Sequence, residues 1–188
     1  MLQSLLRVDG LVTGYAKPVI GPLSFVIEPG EVVGLWGDNG CGKSTLLRAI
    51  AGKARVFAGD IRRRPRLTLT WQMQQPVRLE EMPFNGHDYL RYAQADRERP
   101  PARLSTWLDR RIDSLSGGQF QLLAVWAMLG GSADLVLLDE PTNNLDPEGQ
   151  QTLAQILKVK QDERAVLLVS HERGFLDQAC NRVIDIAA

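Results

Sequence analysis

Val32-Val33-Gly34-Leu35-Trp36-Gly37-Asp38-Asn39-Gly40-Cys41-Gly42-Lys43-Ser44-Thr45 is the stretch on which the fold turns. Its opening residues, Val32 to Trp36, read as a strand. Gly37 to Ser44 then fits the spacing G-x-x-x-x-G-K-S, and a helical pattern runs from about Lys43 to Ala51. The glycines let backbone N–H groups converge on a phosphate without Cβ clashes. The helix that follows offers its own unpaired N–H groups and the positive end of its dipole. In such a loop Lys43 reaches the β- and γ-phosphates of a nucleotide and the Ser44 hydroxyl binds Mg²⁺. A Gly-rich turn without a ligand is the competing reading; strand, loop and helix in the required order favour phosphate.

Working outward, two further runs read as strands buried on both faces: Asp134 to Asp139 and Ala165 to Ser170. Leu135-Val136-Leu137-Leu138 is apolar at every position, as expected where both sheet faces are covered. Pro147 to Lys160 is a helix between them, with Pro147 suited to its first turn. The result is a βαβ unit, so part of the sheet is parallel. Asp139 and Glu140 end the first of these strands, and strand C-termini are where α/β sheets bind ligands. Beside a phosphate loop, Asp139 can hold Mg²⁺ and Glu140 can orient or deprotonate an attacking water.

The first thirty residues read differently. Leu2 to Val8, Leu11 to Tyr15 and Leu23 to Ile27 look like short strands broken by Gly and Pro, an antiparallel portion. A strand is also expected at Leu67 to Trp71, and another at Arg182 to Ile186. From Pro76 to Leu129 the pattern is helical: His87 to Ala95, Ala102 to Arg111, and Gly117 to Leu129. The last is apolar nearly all round, hence buried, and Gly130-Gly131 ends it.

The bulk properties exclude more than they assign. A chain of 188 residues fits one domain, and its 22 basic and 22 acidic residues balance. Charge therefore gives no argument for direct nucleic-acid binding. The longest mostly apolar stretch, Leu122 to Leu129, is far short of the roughly 20 residues of a membrane helix, and Met1 to Gly10 does not read as a signal peptide. Any membrane role comes through another polypeptide. Cys41 and Cys180, far apart, suit a reducing cytosol better than a disulfide framework.

At this point the sequence resembles the ATP-binding cassette (ABC) ATPases. Between the phosphate loop and the acidic strand stands Leu115-Ser116-Gly117-Gly118-Gln119, the signature motif of that family. It is followed by Leu135 to Thr142, then Asn144-Leu145-Asp146, then His171. The resemblance covers nearly the whole chain. It implies an α/β P-loop NTPase of ABC type, with a mixed central sheet, an N-terminal antiparallel β portion and a short helical subdomain. The expected organisation is a single nucleotide-binding domain over 1–188 with a helical insertion at about 76–129. The implied cofactors are ATP and Mg²⁺.

The implied mechanism is a head-to-tail pair of cassettes, most simply a homodimer, that sandwiches two ATP molecules. Each ATP sits on one P-loop (Gly37, Asn39, Gly40, Cys41, Gly42, Lys43, Ser44 and Thr45) and is closed by Ser116, Gly117, Gly118 and Gln119 of the other copy. Those residues open a helix, so their N–H groups can meet a γ-phosphate. Residue by residue, Glu140 resembles the catalytic carboxylate and His171 the switch histidine at the γ-phosphate. Asp139 and Ser44 resemble the metal ligands. Asp146 resembles the D-loop residue that joins the two sites, and Tyr15 the aromatic that stacks on adenine, with a core strand aromatic as the alternative. The Q-loop glutamine, which senses the metal and the attacking water, is one of Gln72, Gln74 and Gln75; spacing to Pro83 favours Gln74.

The chain also departs from the pattern. Phe120 and Trp126 stand where the family would have Arg; either the buried side of that helix has been refilled, the reading favoured here, or it packs on a partner. Cys41 lies inside the P-loop: either its oxidation or alkylation blocks ATP binding, or it is a small residue tolerated at a variable position of the loop. Arg62-Arg63-Arg64 and Arg66 read as a solvated turn before a strand. The leading functional reading is the ATPase subunit of a membrane transporter, docked on a separate permease from the cytoplasmic face of the inner or plasma membrane. The alternative is a non-transport, ribosome-associated ATPase of the ABC-F branch, suggested by Asn143 to Asp146 and Ser170 to Asp177, although that branch normally carries two cassettes in one chain. A third is a regulatory module with little hydrolysis, against which the intact Lys43, Asp139, Glu140 and His171 argue.

Overall fold

Three stretches rich in Val and Leu supply the middle of a five-stranded parallel sheet. A computed structural model of the protein describes residues 4–72, 83–97, 99–159 and 164–186. Its elements in chain order are β1 (Leu6–Gly14), β2 (Pro18–Ile27), β3 (Val32–Trp36), α1 (Lys43–Ile50), β4 (Arg55–Arg63), β5 (Leu69–Gln72), α2 (Gly86–Tyr92), α3 (Ala102–Ser105), a 3₁₀ turn at Ile112–Ser114, α4 (Gly117–Gly130), β6 (Leu135–Asp139), α5 (Pro147–Val159), β7 (Ala165–Ser170), α6 (Arg173–Ala179) and β8 (Arg182–Asp185). The parallel sheet has the order β5-β6-β7-β3-β8, and a separate antiparallel sheet has the order β2-β1-β4.

The central strands obey a period of two across the sheet. Leu135 and Leu137 face one apolar cluster with Leu46, Leu47 and Ile50 of α1 and the inner face of the antiparallel sheet. Val136 and Leu138 face the other, with α4, α5 and α6. Burial on both sides is why β6 and β7 are apolar at nearly every position. The layers are thus the antiparallel sheet with α1, the parallel sheet, and the helices.

Expectation and structure differ in specific places. The antiparallel strands form their own sheet instead of joining a mixed central one. The two strands expected at Leu2 to Val8 and at Leu11 to Tyr15 meet, among the described residues, in one strand, β1 (Leu6–Gly14): its register shifts between Val8 and Leu11, so Gly10 marks a bulge and not a break. β4 had no counterpart in the sequence reading, and Arg62 and Arg63 lie at its end. The basic run is not simply a solvated turn. Arg63 donates to the Ile50 carbonyl, and Arg64 pairs with Asp134 at 2.7 Å. Asp134 also accepts from Thr68, whose backbone N–H holds that carboxyl below its ordinary pKa. The helix expected over Ala102 to Arg111 stops at Ser105. There the Ser105 and Thr106 hydroxyls bond back to the carbonyls of Pro100 and Arg103, an alternative to continuing the helix. Trp126 is fully buried and Phe120 nearly so. Phe120 meets Tyr89 of α2 edge-on at 5.8 Å. These two aromatics therefore refill the interior.

Candidate nucleotide-binding site

Parallel pairing assembles the site. Trp36 lies opposite Ser170, and Asp139 lies opposite Val169. The residues that follow each strand, Gly37, Glu140 and His171, therefore emerge together at one edge of the sheet, where α/β folds bind ligands. Gln72, the last residue of β5, is opposite Leu138 at the same edge.

The loop from Gly37 turns into α1 through Gly42, whose φ of 104° is open to glycine and strained for other residues. A Cβ there would also lie 2.8 Å from that of Ile20, so β2 packs directly against the loop. Lys43 is buried. Its ammonium donates to the carbonyls of Gly37 at 2.6 Å and Asp38 at 2.9 Å, and sits 3.6 Å from Glu140 Oε1. Asn39 and Gly40 are exposed at the loop's tip, Cys41 is half-buried and free, and Thr45 is buried in the first turn of α1. A cleft of about 200 Å³ lies against Asn39, Gly40, Lys43, Ser44 and Glu140. Val19 of β2 forms another wall of it; nothing in its sequence context singled it out.

Ser44 Oγ donates to Asp139 Oδ1 at 2.8 Å. Burial pushes the Asp139 carboxyl above its ordinary pKa and the adjacent Glu140 adds to this; the Ser44 bond, Arg48 and Lys43 pull the other way. A hydroxyl and a buried carboxylate this close are a hard-oxygen pair that fits Mg²⁺. Among the described residues no three His, Cys, Asp or Glu side chains cluster as a metal cage. That agrees with a cation that takes one or two protein oxygens and completes its shell with water and phosphate.

Glu140 stands at φ 50°, a left-handed conformation uncommon for a residue with a side chain. Its carboxylate faces His171 Nδ1 at 2.9 Å and the His171 backbone N–H at 3.4 Å. Thr142 and Ser170, neither assigned from sequence, brace this corner through a hydroxyl contact of 3.4 Å.

The other predicted residues lie elsewhere. Ser116 caps α4: its hydroxyl accepts from the Gln119 N–H at 3.2 Å, and the Gln119 side chain accepts from the Ser116 N–H at 3.0 Å. Ser116, Gly118 and Gln119 line a second hollow with Asn144, Leu145 and Asp146, apart from the P-loop cleft. Asp146 caps α5 through the Gly149 N–H at 2.6 Å, and its other oxygen is 3.5 Å from Arg103. Tyr15 is 46% exposed, so it is no core aromatic. Its hydroxyl accepts from Arg48 of α1, whose guanidinium lies 5.9 Å from the ring centre. Gln74 and Gln75 lie outside the described residues. A larger hollow of about 690 Å³, lined by His87 of α2, by Arg97 and Arg99 between α2 and α3, and by Ala102 and Ser105 of α3, holds none of the motif residues.

Comparison with known proteins agrees with this geometry. The family model described as "ABC transporter" matches residues 20–143. The zinc import ATP-binding protein ZnuC of Roseobacter denitrificans is 38% identical, over 97% of this chain and 75% of its own length. ZnuC of Jannaschia sp. is 36% identical, over 97% of this chain and 79% of its own. A solved structure described as the ATP-binding subunit of an ABC transporter superposes with a TM-score of 0.79 at 26% identity, covering 97% of this chain and 86% of that one. Signature, P-loop and acidic strand thus stand in a chain that belongs to the ABC transporter family, as an ATP-binding, ATP-hydrolysing subunit that powers a membrane transporter.

Proposed function

We propose that the chain is the ATPase of a zinc importer and that the cleft at Gly37 to Thr45 is its ATP site. The zinc assignment is carried by one observation: ZnuC proteins at 38% and 36% identity align over 97% of this chain. The ribosome-associated alternative has no comparable support. In this reading the whole chain is one cassette domain with a helical insertion at about 76–129, and it docks on a permease at the cytoplasmic face of the membrane near the Q-loop and the segment from Pro76 to Arg111. No helix among the described residues is long and apolar enough to cross a membrane.

The site residues take these roles. Backbone N–H groups of Gly40 to Thr45 and the Lys43 ammonium hold the β- and γ-phosphates, and the ring of Tyr15 receives adenine. Ser44 and Asp139 hold Mg²⁺, as would a glutamine from the cluster at Gln72, Gln74 and Gln75. When bound, the cation neutralises charge on the β- and γ-phosphate oxygens. Glu140 aligns the attacking water and takes its proton as the oxygen bonds to the γ-phosphorus and the bond to the β-γ bridging oxygen breaks. His171, 2.9 Å from Glu140, fixes that carboxylate and meets the γ-phosphate. Ser116 to Gln119 of a second copy close the site, with Asp146 joining the two halves.

The test is to extract the Glu140→Gln chain from its native cells in detergent with ATP present. A co-purifying polytopic membrane protein, with loss of zinc accumulation in zinc-limited cells carrying the variant, is expected. Ribosomal proteins without a permease, or unaltered zinc accumulation, would overturn the assignment.

A further inference from the structure

Helix α4 is apolar from Phe120 to its end with one exception, Gln121, which is only 4% exposed. A buried amide in an apolar helix is costly unless it is bonded. Gln121 Nε2 donates to the carbonyl of Pro141 at 3.4 Å, and Gln121 Oε1 accepts from Gln72 Nε2 at 3.3 Å. The direction of this relay is forced. A backbone carbonyl only accepts, and Pro141 has no N–H to offer, so Gln121 must turn its NH₂ toward Pro141 and its oxygen toward Gln72. Gln72 must then donate, which leaves its own Oε1 buried without a donor among the described residues.

What the relay connects is specific. Pro141 follows Glu140, whose left-handed backbone aims its carboxylate at His171. Gln121 stands five residues after Ser116, on the helix that presents the signature motif. Gln72 ends the strand that leads toward Gln74 and Gln75 in sequence. We propose that Gln121 is a positioning residue: its amide ties the signature helix and the Gln72 end of β5 to the Pro141–Thr142 peptide, one residue beyond Glu140, so a shift of α4 is felt at the orientation of Glu140. The inference rests on the reading of Glu140 as the group that activates water.

The experiment compares steady-state ATP hydrolysis and thermal unfolding of the full chain with those of Gln121→Met, Gln121→Glu and Glu140→Gln. Methionine fills the same volume without the amide. The relay predicts that Gln121→Met lowers kcat about tenfold, the effect of losing one alignment of roughly hydrogen-bond strength. KM for ATP should stay within about twofold and Tm should not fall, because KM reports ground-state binding, which the relay does not touch. In Gln121→Glu a protonated carboxyl can donate to Pro141 and accept from Gln72, so kcat relative to the parent should recover as the pH is lowered. That recovery also decides the matter if the Met variant is unstable. Turnover by Gln121→Met within twofold of the parent, or a Gln121→Glu ratio that ignores pH, would overturn the relay while abolished turnover in Glu140→Gln upheld the catalytic reading. Full turnover in Glu140→Gln would remove that reading and the relay with it.

Discussion

Asp139 sits 3% exposed at the end of β6, beside Glu140 and bonded to Ser44. Its folded pKa is raised, by burial first and by Glu140 second. A carboxyl with a raised folded pKa contributes stability that is fully present below its unfolded pKa and is lost as pH rises through the folded value. At neutral pH the ionised form therefore costs stability, a local strain held for a cation. Asp139→Asn keeps an oxygen acceptor for the Ser44 hydroxyl and removes the charge. It should raise the Tm at pH 7, with the gain shrinking as pH falls. It should also abolish the extra stabilisation that Mg²⁺ adds to ATP. Differential scanning fluorimetry across pH checks both; an unchanged or lowered Tm at pH 7 would refute the account of this residue. Cys180 is the opposite case. Burial, then Asp177, pushes its thiol up to about 12, so at neutral pH it stays protonated and unreactive.

At the scale of elements, the N-terminus of α4 meets the turn after β6. A Cβ on Gly118 would lie 2.9 Å from the Asn144 carbonyl oxygen, and Asn144 is itself held at φ 64°. A Cβ on Gly117 would meet nothing within 4 Å. Gly118→Ala should therefore lower the Tm, by about 1–3 kcal/mol of overpacking, whereas Gly117→Ala should leave it unchanged or slightly raised, as alanine in a helix does. Equal Tm values for the two variants would count against this packing. The same elements show what was legible in the sequence. β6, β7, α4 and α5 announced themselves through unbroken apolar runs or helical periodicity, because each is buried against two layers or along a whole face. β4 did not. Its residues, Arg55–Arg63, are mostly exposed, four of the nine are charged, and they are held by the ladder to β1 and carry no strand pattern of their own. The short α3 looked longer in sequence because hydroxyls at Ser105 and Thr106 end it through bonds that no periodicity reveals.

At the scale of the molecule, the sheet does what the motifs require. Five parallel strands deliver Gly37, Glu140 and His171 to one edge although they lie far apart in the chain. The motifs themselves were readable because phosphate and metal chemistry tolerates few substitutes. Their supports were not. Val19 on the cleft wall, Arg48 on Tyr15 and Gln121 beneath Glu140 act through contacts that only the packed chain creates. The structure also separates the P-loop cleft from the hollow beside Ser116 and Gly118. In the proposed reading these are the two halves of a site that one chain does not join, and two copies arranged head to tail would complete two sites. Sedimentation velocity of the purified Glu140→Gln chain, with and without ATP and Mg²⁺, tests this most directly. The account predicts a monomer without nucleotide and a dimer with it. A chain that binds ATP yet sediments at the same mass in both conditions would contradict it.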